Sequence, residues 1–220
     1  MAKGAFSTLS LLFCTTDEQA MLRVQAEDDH RAFAQLVGRW EEPIRRLCTR
    51  MVGDPHRGED LKQETFAKLF ARRKSYQATG RFSTFLWRVA LNVCYDELRR
   101  VKRRGESALD EETAEAFGVL EGGMDFADPH TEAAEQEEAE LVRTALMRLP
   151  EMYRTVLVLR HYEGLKLQKI AEILEIPLGT VNSRLAEGLV RLTRLLEPSF
   201  REQRNAFEKS PPRRQENLVL

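Results

Sequence analysis

The sequence predicts an all-α fold: two small helical domains joined by an acidic linker. Three observations carry this expectation. Apolar residues recur at helical spacing through the segments rich enough in them to build a core, and no stretch alternates with period two between turn residues. Charge is also divided into blocks that a near-neutral total of −1 conceals. With 220 residues, 42% hydrophobic and 31% charged, the chain can bury one medium core or two small ones, and a wholly disordered chain is excluded.

Residues 1–19 read as an N-terminal extension. The longest uncharged apolar stretch, Ala5 to Thr16, falls short of the roughly 20 residues that span a bilayer, so no membrane insertion is expected. It has no small-residue cleavage site, and in Leu11, Leu12, Phe13, Cys14 the bulky Phe13 spoils a lipoprotein box. Cys14, Cys48 and Cys94, without CxxC spacing, support neither a disulfide framework nor a zinc site, and a reducing cytoplasm is the expected location.

Residues 20–104 form the first expected domain. Asp17, Asp28 and Asp54 stand where an N-cap would precede an apolar-periodic run, and Pro55 suits a first helical position. Leu61, Thr65, Phe66, Leu69 and Phe70 fall on one face, as do Phe82, Phe85, Leu86, Val89, Ala90 and Val93, spaced 3, 1, 3, 1, 3. From Ala20 to Arg104 there are 19 Lys and Arg against 11 Asp and Glu. Residues 105–140, the expected linker, hold 13 acids and no Lys or Arg. With six large apolar residues and several glycines this segment should be extended or mobile, turning helical from about Thr131. The block 141–197 is basic again, and the Pro-containing tail 198–220 should fray. Two basic blocks around an acidic connector suggest a polyanion partner.

At 100° per residue the Phe82–Val93 stripe leaves Arg88, Asn92, Tyr95 and Arg99 on the opposite face. The helix then runs into Arg99, Arg100, Lys102, Arg103 and Arg104. Such cations gain counterion-release affinity for phosphates, and Asn and Tyr offer hydrogen bonds and stacking to bases. The same run could instead complement the helix dipole. Before it, Arg72, Arg73, Lys74, Tyr76 and Arg81 lie in a loop-like segment suited to a single-stranded base pocket, or to simple solvation.

Leu167, Ile170, Ala171 and Leu174, then Ile176 and Pro177, then Val181, Leu185, Leu189, Leu192, Leu195 and Leu196 give two helices and a short corner, the spacing of a helix-turn-helix. Its second helix should expose Thr180, Ser183, Arg184, Glu187, Arg191 and Arg194. Thr180, Asn182, Ser183, Arg184 and Glu187 would face base edges, and the later arginines phosphate. An ordinary helical hairpin has the same spacing.

These residues carry a resemblance. Asp60, Leu61, Gln63, Glu64, Thr65 and Phe66, followed by the Phe82 to Arg104 series, resemble region 2 of bacterial RNA polymerase sigma factors. Leu149, Pro150, Gly164, Leu165, Ile170 to Leu174 and Pro177 to Leu185 resemble region 4. Both in this order, with only a linker between them, look like the extracytoplasmic-function group. The resemblance implies that Asp60, Leu61, Gln63, Glu64 and Phe66 dock the polymerase β′ coiled coil. It implies that Lys74, Tyr76, Arg81, Arg88, Asn92, Tyr95, Arg99, Arg100 and Arg103 meet the minus-ten element, with the Lys74–Phe82 loop taking a flipped base. It further implies that region 4 meets the β flap and reads minus-35 DNA with Thr180, Asn182, Ser183, Arg184, Glu187 and Arg191. An anti-sigma factor is a further implied partner. No enzyme activity, cofactor or metal is expected, because no catalytic dyad, P-loop or His/Cys metal spacing is present.

Three departures stand out. Asn182, Glu187 and Val190 occupy positions often basic in the family, and Glu187 could accept from a cytosine amino group or be solvated. Glu175 stands where a corner glycine is common, and Leu91 where a polar residue is, so Leu91 could pack on the second domain or on an inhibitor. A stand-alone helix-turn-helix regulator of duplex operators is the competing expectation. A nucleic-acid-processing enzyme using connector acids for metal is a third, disfavoured because that segment is too polar to fix them.

Overall fold

The computed structural model describes residues 16–78, 80–109 and 133–209, with side chains over 16–78, 80–104 and 138–199. Eight α-helices and no strand occur among the described residues: α1 Asp17–Glu27, α2 His30–Val52, α3 Pro55–Ala71, α4 Phe82–Leu109, α5 Ala133–Arg148, α6 Glu151–Leu157, α7 Leu167–Leu174 and α8 Leu178–Lys209. A 3-10 turn, Arg73–Ser75, follows α3, and a π-helical turn, Val158–Tyr162, extends α6.

Local chemistry sets the helix starts. The expected caps at Asp17 and Asp28 are each displaced by one residue. Thr16 caps α1, its hydroxyl accepting from Gln19 N while the Gln19 side chain accepts from Thr16 N. A threonine whose partner sits three residues on satisfies two orphan donors, whereas Asp17 serves better in the first turn, against the positive end of the dipole. Asp29 caps α2. Asp28 terminates α1 in the left-handed region at φ 53, a conformation aspartate tolerates. Asp54 and Pro55 open α3 as expected.

Helices α1–α4 enclose one core that includes Met21, Leu36, Ile44, Leu47, Met51, Leu61, Leu69, Phe82 and Leu86. Trp40 meets Trp87 and Phe82 edge-on. Gly58 lets α3 cross α2 closely: a Cβ there would lie 2.2 Å from Thr49 Oγ1 and 2.8 Å from Thr49 Cα. In the C-terminal half, Leu146, Leu149 and Leu157 are packed by Leu185, Leu192 and Leu195 of α8. The stripe expected on α8 is wrong at one position. Leu189 is exposed, and Gly188 turns inward with room for a Cβ only 3.2 Å from Leu157.

Two segment expectations also change. α8 continues through Pro198 to Lys209, so the tail is helical for twelve residues beyond the expected boundary. α4 runs past Arg104 to Leu109, and α5 is helical from Ala133; residues 110–132 of the expected extended connector lie outside the described residues.

The larger difference is that the two halves share a buried face. The core of α1–α4 continues into Val156, Val158, Leu159, Ile170, Ile173 and Val181 of the second half. Arg154 is buried, donating to Met51 O at the end of α2 (2.5 Å), to Met147 O (2.8 Å) and to Leu149 O (3.0 Å). Arg143 donates to Gly53 O at 2.7 Å. Arginines of the second half thus satisfy last-turn carbonyls of α2 that have no partner within their helix.

Candidate polymerase- and DNA-binding faces

The outer face of α3 is built by the same periodicity that fills the core. Leu61, Thr65, Phe66 and Leu69 turn inward, which leaves Asp60, Gln63 and Glu64 outward and exposed. Leu61 and Phe66, expected among the polymerase contacts, are 1% and 6% exposed and serve as core. The outward acids are held by neighbours on their own helix: Asp60 by Arg57 at 3.1 Å, Glu64 by Lys68 at 2.9 Å. Arg57 also forks onto Glu97 of α4 with two 2.8 Å bonds, and Arg100 joins Glu97 at 2.5 Å. Burial works to raise the Glu97 pKa, but the two guanidinium groups prevail and hold it below the usual carboxylate range. Arg100, expected on the minus-ten face, is therefore committed to α4's own carboxylate, whereas Arg103 is exposed.

The loop before α4 is pinned rather than loose. The Gln25 amide of α1 donates to Lys74 O (3.2 Å) and Tyr76 O (2.7 Å), and Lys74 Nζ donates to Gln25 O at 2.8 Å. Asp28 takes Arg73 and Lys74, whose hydrogen bonds bring its pKa down to about 2. Tyr76, expected as a stacking plate for a base, is instead 4% exposed and lies against Phe82 and Phe85. Aromatics at 76, 82 and 85 were the signal for this cluster: a tyrosine with two phenylalanines in reach gains more by burial than by solvation. Lys74 and Arg81 stay exposed at the loop's rim. Gln25, which pins the loop, carried no sequence signal of its role.

Along α4, Arg88, Asn92, Tyr95 and Arg99 do share a face, but it is turned toward the second half. With Leu91 they line a cavity of about 390 Å³ whose other wall includes Glu151, Met152, Thr155, Ile173, Leu174, Glu175 and Arg184. Arg88 donates from Nε to Ile173 O at 3.2 Å and from Nη2 to Glu172 O, and Nη1 pairs with Glu175 at 2.7 Å. The Tyr95 hydroxyl shares a 3.0 Å hydrogen bond with Thr155, and burial pushes its pKa up. Leu91 is 2% exposed, so of its two expected partners the second domain is the one present. Arg99 remains open to solvent, 3.4 Å from Asp96.

In the helix-turn-helix, α7 and α8 are separated by Glu175, Ile176 and Pro177. Asn182, Ser183 and Arg191 are exposed, and Thr180, Arg184 and Glu187 half-buried. Ser183 donates to Thr180 O at 3.1 Å. Arg184 Nε is buried without a hydrogen-bond partner. Glu187 pairs with Arg191 at 2.6 Å, and Arg191 lies over the Tyr153 ring. Among the described residues no group of three or more His, Cys, Asp or Glu side chains converges.

A four-helix N-terminal module bearing basic side chains and a C-terminal helix-turn-helix define a class of nucleic-acid-reading proteins, and comparison specifies which. Sigma-70 region 2 matches residues 36–104, and Sigma-70 region 4 matches residues 139–192. The ECF RNA polymerase sigma factor SigW of Bacillus subtilis is 35% identical over 171 residues, covering 76% of this chain and 90% of that protein. The RNA polymerase sigma-H factor of Pseudomonas aeruginosa is 33% identical over 187 residues, 84% of this chain and 96% of that protein. In fold, the chain is similar to CnrH in complex with the cytosolic domain of CnrY (TM-score 0.60, 21% identity, 83% and 97% covered). It is similar also to the sigma factor RpoE in complex with the anti-sigma factor NepR from Bartonella quintana (TM-score 0.59, 22% identity, 75% and 96% covered). The chain belongs to the sigma-70 family of RNA polymerase sigma factors, in its extracytoplasmic-function group. Its function is to direct RNA polymerase in transcription initiation, and the stand-alone regulator finds no support in these matches.

Proposed function

We propose a division of that role among particular side chains. The outward face of α3, with Asp60, Gln63 and Glu64, docks the β′ coiled coil of core polymerase. The exposed and cavity-lining residues of α4, Arg88, Asn92, Arg99 and Arg103, meet minus-ten DNA, with Lys74 and Arg81 as phosphate anchors beside them. Asn182, Ser183, Arg184 and Thr180 at the start of α8 read the minus-35 duplex. Residues 20–104 and 141–197 act as the two working domains, and 105–140 as the acidic tether. The observation that carries the reading is the split on α3 and α4. The periodicity that packs the core of each helix also gathers its polar functional side chains on the other side, acids and amides on α3, cations and amides on α4.

Unstacking a promoter base costs a few kcal/mol, and cationic anchors with hydrogen-bonding side chains offset it. The factor performs no covalent step itself: it supplies binding energy, and the polymerase supplies the chemistry. It works in the cytoplasm beside the polymerase; among the described residues no helix is long and apolar enough to cross a membrane. An anti-sigma factor is a third partner on the strength of the group resemblance. The test replaces Arg88, Asn92 and Arg99 with alanine together. Core enzyme should still co-purify with the variant, while permanganate reactivity of the promoter and transcript are lost; loss of core binding would overturn the assignment of these residues to DNA.

A further inference from the structure

We infer that α1, which precedes the segment matched as region 2, is the template that shapes the loop 73–82 for the promoter strand, with Gln25 and Glu18 as its positioning residues. The inference rests on the assignment of Lys74 and Arg81 to minus-ten DNA. One helix holds both ends of the loop. At the near end the Gln25 amide donates to two backbone carbonyls, Lys74 O at 3.2 Å and Tyr76 O at 2.7 Å. At the far end Glu18 Oε1 accepts from Phe82 N at 2.9 Å and so satisfies the first orphan donor of α4 from another helix.

Helical geometry fixes the spacing of the two holds. Glu18 and Gln25 stand seven residues apart, two turns, so their side chains leave one face of α1 about 10 Å from each other. Asp28, three residues beyond Gln25, takes Arg73 at 2.5 Å and Lys74 at 3.1 Å. Arg73 is fixed further by its bond to Phe70 O at 2.9 Å and by its place over the Phe70 ring. The template is itself tied down. Ala20, Met21 and Val24 are buried, and Asp17 accepts from Arg39 at 2.8 Å and from the Trp40 indole at 2.9 Å.

Between the holds the crest of the loop turns to solvent: Gln77, Ala78, Gly80 and Arg81 are exposed. These residues are free to meet DNA, and a short crest between fixed ends has little conformational freedom to lose on binding. Lys74 shows the same device at one atom. Its Nζ donates to Gln25 O at 2.8 Å and pairs with Asp28 at 3.1 Å, which engages two of its three N–H bonds and leaves the third for a phosphate. A cation held this way meets a phosphate at one place. A strand that needs another backbone path must first break a hold, so α1 sets which base the loop accepts.

The experiment reconstitutes holoenzyme from the full-length chain and bacterial core polymerase, and sequences the transcripts made from a promoter library randomised across the minus-ten and minus-35 elements. Wild type should show a strong base preference within the minus-ten element. Gln25→Met keeps the side chain's length and removes both donors; it should weaken that preference about two- to tenfold, the range set by the loss of one or two hydrogen bonds. Glu18→Met should act in the same direction. Glu18→Gln, whose amide oxygen still accepts from Phe82 N, should stay within about twofold of wild type. Preferences at minus-35 and retention of core polymerase should not move in any of the three. A uniform fall in transcript with base preferences unchanged, the mark of a merely structural role, would overturn the template. So would a Glu18→Gln chain no better than Glu18→Met. If Lys74→Ala with Arg81→Ala leaves minus-ten selection intact, the loop is not at the DNA and the underlying assignment fails. If that pair weakens selection while Gln25→Met and Glu18→Met leave it as in wild type, the template alone fails.

Discussion

The outward face of α3 and the inward face of α4 begin from the same rule and end in opposite states. Both are the polar side of an amphipathic helix in one four-helix module, and both carry residues of the sigma-factor type. Asp60, Gln63 and Glu64 on α3 find partners within their own helix and stay exposed. Arg88 and Tyr95 on α4 find theirs more than 50 residues away, in the other half of the chain. A polar face whose charges are satisfied locally remains available. On this face of α4, Arg99 has such a local partner, in Asp96, whereas Arg88, beside the buried Leu91, takes its anionic oxygens from the other half.

The contrast can be broken from beneath. Gly58→Ala drives a methyl into Thr49 at the α2–α3 crossing, displaces the helix that presents the open face, and should cost about 3 kcal/mol in denaturant unfolding. Arg154→Leu leaves the Met51, Met147 and Leu149 carbonyls without this donor and should cost about 2 kcal/mol while loosening the closed face. Tyr95→Phe removes only the bond to Thr155; a loss of about 1 kcal/mol is expected in the full chain. Asp60→Ala with Glu64→Ala sharpens the comparison from the other side. Unfolding should move by less than about 0.5 kcal/mol, since both acids are exposed, yet retention of core polymerase in a pull-down should fall.

The smallest effect is a pH dependence at the loop that precedes α4. Asp28 has its pKa lowered from 3.8 to about 2 by Arg73 and Lys74. A carboxylate more acidic in the folded chain stabilises it above the unfolded value and loses that contribution as pH falls from about 4 toward 2. Asp28→Asn should flatten that limb of the acid-unfolding curve, read by circular dichroism.

Much of this was legible beforehand. Of the stripe Phe82, Phe85, Leu86, Val89, Ala90 and Val93, all but the half-buried Phe85 are buried as the spacing requires, because a helix in water can hide apolar side chains only on a coherent face. The helix-turn-helix and the Asp54–Pro55 start of α3 were equally readable. Phe66 and Leu61 belong to the core although the motif that contains them points to polymerase contacts, because a motif marks a segment without marking which side of it faces out. The burial of Tyr76 is not legible in the sequence because its aromatic partners lie six and nine residues away, where a loop's path decides whether they meet. For Glu187 the sequence offers a cytosine contact or solvation, and the ion pair with Arg191, one helical turn further on, is a third arrangement the same spacing allows.

Periodicity, local hydrogen bonding and motifs a few residues long suffice to read the all-helical class, three caps to within a residue, the two charged blocks and the family to which the chain belongs. That α4 turns Arg88 toward the C-terminal half, where Glu175 and the end of α7 receive it, follows from long-range packing. That choice is made by contacts spanning more than 80 residues, whose energies depend on distance in space and leave no mark at fixed spacing along the chain.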